Sequence, residues 1–378
     1  MQRLGMWRFV VGALLTCVLA VSAAAAEAPA RPAIVALEIE PAAVTLHDAL
    51  DARKVLVFGL GADGQRYDLT AEATLTPDAP NVKVDGDGYL VGNMTGETNV
   101  TISAAGKSIA LPVKVAGVDD RPIGFVRDVM PVLAKAGCNS GTCHGAQDGK
   151  NGFKLSLRGY DPDYDYQQLI SDLSGRRFNR VRPEQSLMLL KPLGEVPHEG
   201  QQVITPGSRH YDILLQWIKQ GTQSESPAAR ARSIEVFPKE VALDLAGRSQ
   251  QVIVTATYAD GSTRDVTREA VISTSNIEVA TAEGNTVTGL RRGESGVLVR
   301  YEGNYATALI TVMGDRAGYE WVQRPVYNEI DEYVDTKLKK VKAIPSELCD
   351  DATFLRRAYL DLTGIPPSHE VARAHVED

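Results

Sequence analysis

The amino-acid sequence predicts a multidomain chain in which two all-β sandwiches flank an all-α domain, with part of a further α-helical domain at the C-terminal end. Three observations predict this arrangement: an internal repeat of module length, helical spacing of apolar residues between the two copies, and helical spacing again after the second copy. A chain of 378 residues is long enough for several separate cores. Its 44% hydrophobic and 23% charged residues exclude a wholly disordered or wholly membrane-embedded protein.

The N-terminus has the residue order of a secretory signal peptide. Arg3 and Arg8 stand at the start, the stretch from Phe9 to Val21 is almost entirely apolar, and small residues follow up to Ala26. We therefore expect residues 1–26 to be removed and the protein to be exported to the periplasm or the cell surface. The apolar run is shorter than the roughly 20 residues of a membrane span, and no second run follows it, so no membrane span is predicted after signal removal.

The overall charge disfavours nucleic acid as a partner. The formal net charge is -8, which repels a phosphate backbone. The clusters of basic residues, such as Arg176-Arg177 and Lys339-Lys340, are short. We therefore predict a protein that binds no nucleic acid.

The two sandwiches are predicted from a repeat with a constant spacing of 197 residues, which holds without a gap over more than fifty residues. The recurring pairs include Asp63 and Asp260, Asp68 and Asp265, Thr70 and Thr267, Gly92 and Gly289, Gly96 and Gly293, and Val115 and Val312. Short β-branched segments such as QVIVTATY (251–258), bounded by Asp-Gly, Gly and Asn turns, predict small antiparallel sandwiches. We place the two modules at residues 33–117 and 232–314.

Both modules resemble the group 2 bacterial immunoglobulin-like domain. The resemblance is carried by GADGQRYDLT (61–70) with GNMTGETNV (92–100), and by YADGSTRDVT (258–267) with GLRRGESGV (289–297). It implies immunoglobulin-like modules that act as spacers or adhesive units. It names no ligand, because fold alone does not determine function.

Residues 118–228 contain the motif that carries chemistry, Cys138-Asn-Ser-Gly-Thr-Cys143-His144. Covalent attachment of haem needs two thiols that reach the two vinyl groups, followed directly by an imidazole that binds the iron. The usual motif has two residues between the cysteines, whereas this one has four. Apolar residues at helical spacing precede and follow it, at Phe125, Val129, Val132 and Leu133 and at Tyr211, Leu214, Leu215 and Ile218.

This region resembles the planctomycete-type cytochrome c domain, with SLMLLKPLGEVPHEG (186–200) followed by PGSRHYDILLQWIKQG (206–221). The resemblance implies an all-α cytochrome c-like domain with one haem c, whose iron is bound by His144. The second axial ligand is expected from the loop before the last helix, with His198 as first candidate, Met188 as second and His210 as third. Lys154, Arg158 and Lys191 are candidates to pair with the haem propionates.

Two other interpretations of the motif remain open. Cys138 and Cys143 can close a short disulfide in an oxidising compartment and leave His144 without a role. Alternatively, these three residues and His198 can form a Cys2His2 zinc site, although adjacent Cys-His ligands strain a tetrahedral shell. Cys349, at a helix start, is interpreted as a buried or unpaired thiol.

The C-terminal region, residues 315–378, has helical spacing on both sides of Pro345. The stretch FLRRAYLDLTGIPP (354–367) resembles the start of a planctomycete cytochrome-associated domain of unknown function. Members of that family continue well beyond this point, which implies that the sequence is a fragment.

The sequence therefore leaves two functional hypotheses. The first is an exported electron carrier or redox subunit, not a stand-alone enzyme, that carries haem c on immunoglobulin-like spacers and serves an unknown redox partner. The second is a periplasmic or cell-surface adhesive or scaffold protein with a Cys138-Cys143 disulfide and no haem. Association with the cell surface or a polysaccharide is compatible with both. No catalytic residue is predicted, because no motif for a second active site stands out.

Overall fold

The structure is a computed structural model that describes residues 31–226, 229–314, 316 and 318–377. The predicted signal peptide, residues 1–26, lies outside the described residues.

The first module forms a β sandwich from ten short strands: β1 Ile34–Glu40, β2 Val44–Leu46, β3 Ala52–Lys54, β4 Leu56–Gly61, β5 Arg66–Asp68, β6 Thr74–Pro77, β7 Val82–Val84, β8 Tyr89–Gly92, β9 Gly96–Ala104 and β10 Lys107–Val115. Their orders in three sheets are β1-β4-β5, β2-β10-β9-β6 and β3-β8-β7. All pairs are antiparallel except β2 with β10. Alternate residues of β9, namely Val100, Ile102 and Ala104, point into the core, as the period of two in a strand requires.

The second module has the same architecture, with ten strands: β11 Ser233–Phe237, β12 Glu240–Leu243, β13 Ser249–Gln251, β14 Ile253–Thr257, β15 Thr263–Asp265, β16 Val271–Thr274, β17 Ala280–Glu283, β18 Thr286–Gly289, β19 Gly293–Tyr301 and β20 Asn304–Val312. Their sheet orders, β11-β14-β15, β12-β20-β19-β16 and β13-β18-β17, repeat those of the first module strand for strand. Even the parallel pair recurs at the same spacing, because Val44 lies opposite Val113 and Val241 opposite Ile310. The predicted immunoglobulin-like β-domain fold is confirmed.

A buried threonine supports the same backbone position in each sandwich. The Thr70 hydroxyl accepts a hydrogen bond from the Val57 N–H at 3.0 Å, and the Thr267 hydroxyl accepts one from the Val254 N–H at 2.8 Å. Both threonines are buried, so each satisfies an N–H that water does not reach. The repeated Asp-x-Thr of the sequence therefore has the same structural role in both modules.

The two sandwiches contact each other through equivalent residues. The Asp68 carboxylate accepts hydrogen bonds from the Gln251 N–H and from the Gln250 side chain, and the Asp265 carboxylate accepts one from the Lys54 N–H at 2.7 Å. Lys54 and Gln251 are equivalent positions of the repeat, as are Asp68 and Asp265, so the contact is reciprocal. Leu56, Phe58 and Ile253 form a small apolar cluster at this interface.

Four short α-helices lie in residues 118–226, called the middle segment here: α1 Met130–Lys135, α2 Pro162–Ile170, α3 Leu187–Leu190 and α4 Arg209–Lys219. A π-helical turn at Phe125–Val129 leads into α1, and 3-10 turns lie at Leu157–Gly159, Asp172–Gly175 and Pro183–Gln185. Helix α4 begins at Ser208, whose hydroxyl accepts a hydrogen bond from the Tyr211 N–H. The buried face of α4 includes Leu214, Trp217 and Ile218.

The predicted all-α cytochrome c-like domain between the sandwiches is wrong. The described part of the chain is mostly β, in six sheets, and the longest helix of the middle segment, α4, has only 11 residues. The apolar spacing that predicts helices is confined to the two ends of the segment, and the stretch between them consists largely of turns and irregular chain. Glycines with positive φ, which end or prevent helices, are spread along it at Gly137, Gly149, Gly152, Gly159, Gly175, Gly194 and Gly207.

The C-terminal region forms helices α5 Glu329–Lys340, α6 Asp351–Thr363 and α7 His369–Glu377. Asn328 and Asp331 form a capping box at the start of α5, and α6 ends at Gly364 with a φ of 75°. Most of the large apolar side chains of these helices are exposed. Within the described residues, no helix is long and apolar enough to cross a membrane.

Candidate functional site

The middle segment contains a partly open cavity of about 640 Å³. Its walls are mostly apolar and include Leu133, Leu155, Leu169, Met188, Ile204 and Leu214. Cys138, Cys143, His144 and His198, all named from the sequence, line the same cavity. The structure therefore brings together residues that lie up to 60 positions apart in the chain.

The loop that carries the cysteines is folded into consecutive turns. The Ser140 N–H donates to the Gly137 carbonyl at 3.1 Å, and the Cys143 N–H donates to the Ser140 carbonyl at 3.0 Å. The His144 N–H then reaches back to the Cys138 carbonyl at 3.0 Å. These bonds take up the four residues between the cysteines, so both thiols lie at one cavity despite the long spacing.

Gly145 is required by this turn. A Cβ atom at this position would lie only 2.1 Å from the Asn139 carbonyl oxygen and 2.9 Å from the Ser140 carbonyl oxygen. Any other residue therefore forces the backbone of the loop apart. Gly141, within the same loop, is different, because a Cβ there would meet only the Leu157 side chain at 3.6 Å, an ordinary contact.

His144 is held so that one ring nitrogen is left for a ligand. Its Nδ1–H donates to the Phe153 carbonyl at 3.0 Å, and its ring packs on the Phe153 ring with centroids 4.6 Å apart. Burial lowers the pKa of His144, and the nearby His198, Arg177 and Lys191 lower it further. The neutral imidazole with an occupied Nδ1 is the form that binds metal through Nε2.

His198 has the same type of support on another wall of the cavity. Its Nδ1–H donates to the Gln201 carbonyl at 2.9 Å, and among the residues that the structure describes Nε2 has no hydrogen-bond partner. The loop that carries it is tied to the end of α3, because the Lys191 ammonium donates to the Pro197 carbonyl at 2.7 Å. Met188, the second candidate for the distal position, also lines the cavity, and its N–H donates to the Arg177 carbonyl.

The structure places one of the four remaining predicted residues on the wall of the cavity. Lys191 lines the cavity, whereas Lys154, Arg158 and His210 are not among its lining residues. His210, the third candidate for the distal position, is partly buried near Glu269 of the second sandwich.

Arg177 is a cavity residue that the sequence indicates only as half of a short basic pair. It is nearly buried, pairs with Asp172 at 2.8 Å, and lies over the Phe153 ring at 3.9 Å. Because Phe153 in turn holds His144, Arg177 supports the wall behind the imidazole.

A second set of contacts supports the loop that carries His144. The Leu155 N–H donates to the His144 carbonyl at 2.8 Å, and the next residue, Ser156, donates its hydroxyl to the buried Asp165 carboxylate at 2.7 Å. Burial raises the pKa of Asp165 to about 6. Asp165 is therefore a structural carboxylate close to the site and not one of its lining residues.

Cys138 and Cys143 are unpaired thiols in the structure. Burial, and secondarily the neighbouring Cys143, raises the pKa of Cys138 to about 12. A zinc site needs its Cys and His ligands grouped around one point. No group of three or more His, Cys, Asp or Glu residues in the described chain is arranged to hold a metal ion. The arrangement disfavours the zinc interpretation.

Comparison with protein families matches residues 329–378 to PSCyt2, described as a protein of unknown function (DUF1549). This match confirms the predicted resemblance of the C-terminal region. It covers helices α5 to α7 and none of the sandwiches or the middle segment. No curated protein matches the chain.

Several solved structures show distant similarity. Domains 5–6 of the S-layer protein SbsC have 12% identity and a TM-score of 0.30, covering 76% of this chain and 100% of that chain. Domains 4–9 of SbsC have 12% identity and a TM-score of 0.28 over 75% of this chain, which spans only 32% of that chain. BT4661, a SusE-like surface located polysaccharide binding protein from Bacteroides thetaiotaomicron, has 10% identity and a TM-score of 0.15, covering 73% and 34%. Similarities at this level carry no information about function.

Proposed function

We propose that the cavity of the middle segment holds one covalently attached haem c and that the protein is an exported electron carrier or redox subunit. The observation that carries the proposal is the convergence of Cys138, Cys143 and His144 with two candidate distal ligands, His198 and Met188, on one largely apolar cavity of about 640 Å³. This volume lies within the range of cofactor sites in proteins, roughly 300–1,000 Å³.

The residues present fit a haem group. Two thiols on one loop can form the thioether links, and an imidazole with a free Nε2 follows directly. When bound, the haem iron supplies reversible one-electron transfer. The protein's own contribution is to orient His144 through the Phe153 carbonyl and to exclude water with the leucine walls. Of the three basic residues predicted to meet a propionate, Lys191 is the one that lines the cavity.

His198 is the better distal candidate on the geometry. Its Nδ1–H is held by the Gln201 carbonyl, as the Nδ1–H of His144 is held by Phe153, so both imidazoles keep Nε2 available. Met188 belongs to the short helix α3 and packs against the segment's core. A pair of imidazoles favours a lower reduction potential than an imidazole and a thioether.

A second candidate function follows from the sandwiches. Most of the described strands belong to two equivalent immunoglobulin-like modules, which suit a periplasmic or cell-surface adhesive or scaffold protein. In that case Cys138 and Cys143 form a disulfide in the oxidising compartment and no haem is present. Four further points are proposals of the same kind. They are the group 2 bacterial type of these modules, export by residues 1–26, the existence of a redox partner, and any association with a polysaccharide.

The test is the absorption spectrum of the full chain, exported alongside a cytochrome c maturation system. We expect a Soret band that survives acid-acetone extraction and is lost in the Cys138→Ser, Cys143→Ser double variant, while Cys349→Ser, the matched control, keeps it. His198→Ala should then shift the oxidised spectrum, whereas Met188→Leu and His210→Ala should not. A folded, colourless protein would contradict the haem proposal and favour the scaffold.

A further inference from the structure

The two sandwiches differ at one exposed pair of neighbouring residues on their longest hairpin. In the second module Arg300 of β19 lies opposite Tyr305 of β20, and in the first module the equivalent pair is Ser103 opposite Ser108. The two serine hydroxyls satisfy each other at 2.8 Å. A small self-contained polar pair in one copy therefore corresponds to a guanidinium and an exposed aromatic ring in the other.

The middle segment adds a second guanidinium at this point. The Arg158 side chain donates to the Tyr305 hydroxyl at 3.4 Å. Its backbone is left-handed, with a φ of 58°, and is held there because the Arg158 N–H donates to the Asn139 carbonyl at 2.8 Å, inside the cysteine loop. A non-glycine residue in this conformation is uncommon, and here it directs Arg158 to the second sandwich.

Within the described part of the chain, no carboxylate lies in ion-pair distance of these two guanidinium groups. Among the described residues, neither Arg158 nor Arg300 forms an ion pair, although the protein has a net charge of -8. Partial burial lowers the pKa of Arg300, and the neighbouring Arg158 guanidinium lowers it further. Two adjacent cations that repel each other in an acidic protein favour an external anion.

Exposed apolar side chains lie on the same segments of the chain as the cations. Tyr305 is 64% exposed, Leu298 lies on the same face of β19 as Arg300, and Tyr160, two residues beyond Arg158, is 72% exposed. Exposed rings and leucine are suited to pack on the apolar face of a flat ligand. A single anionic group on a ring fits this surface better than a run of phosphates, since the nearby Arg230 guanidinium is already bonded to the Gly159 and Tyr160 carbonyls and leaves Arg158 and Arg300 as the pair at Tyr305.

We propose that Arg158, Arg300 and Tyr305 form a binding site for an acidic saccharide, that is, a sugar that carries a carboxylate or a sulfate. The two guanidinium groups bind the anion through charge-assisted hydrogen bonds, and the tyrosine ring packs against the sugar. The site spans the middle segment and the second sandwich, and it is independent of whether the cavity holds haem.

The test is isothermal titration of the full chain at low salt with three probes: trigalacturonate, which carries carboxylates, a heparin disaccharide, which carries sulfates, and neutral maltotriose. We expect at least one acidic probe to bind about tenfold or more tightly than maltotriose, with affinity falling as salt rises. Which acidic probe binds identifies the anionic group.

Further variants test the site directly. The first of them gives the second module the serine pair of the first module. Arg300→Ser with Tyr305→Ser should lower the affinity about tenfold or more, as should Arg158→Asn, in which asparagine tolerates the left-handed backbone. Arg292→Ser, an exposed arginine elsewhere on the second sandwich, is the matched control and should bind as the parent chain does. Far-UV circular dichroism of each variant establishes that it is folded. Equal binding of maltotriose, no binding of either acidic probe, or unchanged binding by the folded double variant would overturn the proposal.

Discussion

The sandwiches and the middle segment differ in how their cores are filled. Each sandwich buries a continuous set of valine, leucine and isoleucine side chains along regular strands. The middle segment packs Phe125, Trp217 and neighbouring aromatic residues on one side but leaves a cavity of about 640 Å³ on the other. Protein interiors are close-packed, and voids larger than a water molecule are few. The difference shows that the sandwiches have filled cores, whereas the middle segment has room beside its core for the ligand proposed above.

The largest effect is expected at Trp217, the fully buried centre of the middle segment. Its ring contacts Phe125, Tyr166 and Phe178, and its Nε1–H donates to the Gln223 carbonyl at 2.9 Å. Trp217→Ala should lower the free energy of unfolding by about 3–5 kcal/mol in urea titrations. If the substitution destabilises only the middle segment, the urea titration should show a separate first transition, while the amides of the strands stay protected from hydrogen exchange.

The control for this variant is Trp321→Ala. Trp321 is only partly buried and lies beside Lys339, so its removal should cost less than about 1 kcal/mol. Similar losses for the two variants would show that the middle segment has no tight core of its own.

Two glycines of the cysteine loop test whether its turns are required. Gly145→Ala should cost about 1–3 kcal/mol in unfolding free energy and lower the yield of haem-loaded protein, because the new Cβ clashes with the Asn139 carbonyl. Gly141→Ala, the control, should leave both quantities nearly unchanged. Urea unfolding and the absorbance of the purified chains measure the difference. Equal behaviour of the two variants would mean that the loop is not held in this form.

The two buried threonines test the equivalence of the sandwiches. Thr70→Val and Thr267→Val each leave a buried backbone N–H, of Val57 or Val254, without its acceptor. Each should therefore lower the free energy of unfolding by about 1–2 kcal/mol, and the two values should agree within about 0.5 kcal/mol. A loss in only one variant, measured by chemical denaturation, would show that the repeated sequence does not have the same role in both copies.

The last prediction is a pH dependence located in the middle segment. Burial raises the pKa of Asp165 to about 6, above its value of roughly 3.9 in an unfolded chain. The folded state therefore holds an extra proton between these values, and stability falls as the pH rises from about 4 to about 6. In the parent this decline is up to about 3 kcal/mol in the free energy of unfolding, and Asp165→Asn should not show it when unfolding is measured across this range. A constant difference across the range would contradict the shifted carboxyl.

The sandwiches could be predicted from the sequence because their signals are local and occur twice. Turn residues such as Gly64 and Gly261 adopt positive φ in both copies, and the alternation along β9 and β19 is regular. The middle segment could not be predicted in the same way. Helical spacing is real at α4, but the chain before it is held by turns and side-chain contacts, such as that of Asp165 with Ser156, which leave no periodic pattern.

Part of the candidate site was visible in the sequence for a different reason. Cys138, Cys143 and His144 lie within seven residues of one another and predict a haem attachment motif, and His198 is a candidate from its place in a longer resemblance. The support from the Phe153 carbonyl and from Arg177 depends on three-dimensional contacts. In the sequence, only the short basic pair Arg176-Arg177 marks Arg177. The reciprocal contact of Asp68 and Asp265 between the sandwiches likewise follows from the pairing of equivalent surfaces and not from any local pattern.

The most direct test of the haem proposal is peptide mass spectrometry of the exported full chain, digested without reduction. We predict that the peptide containing Cys138 and Cys143 carries the added mass of one haem and that neither thiol reacts with an alkylating reagent, while Cys349 does. The same peptide found two hydrogens lighter than the dithiol, with no added mass, would establish a disulfide. That result would contradict the haem site and leave the scaffold as the function of this chain.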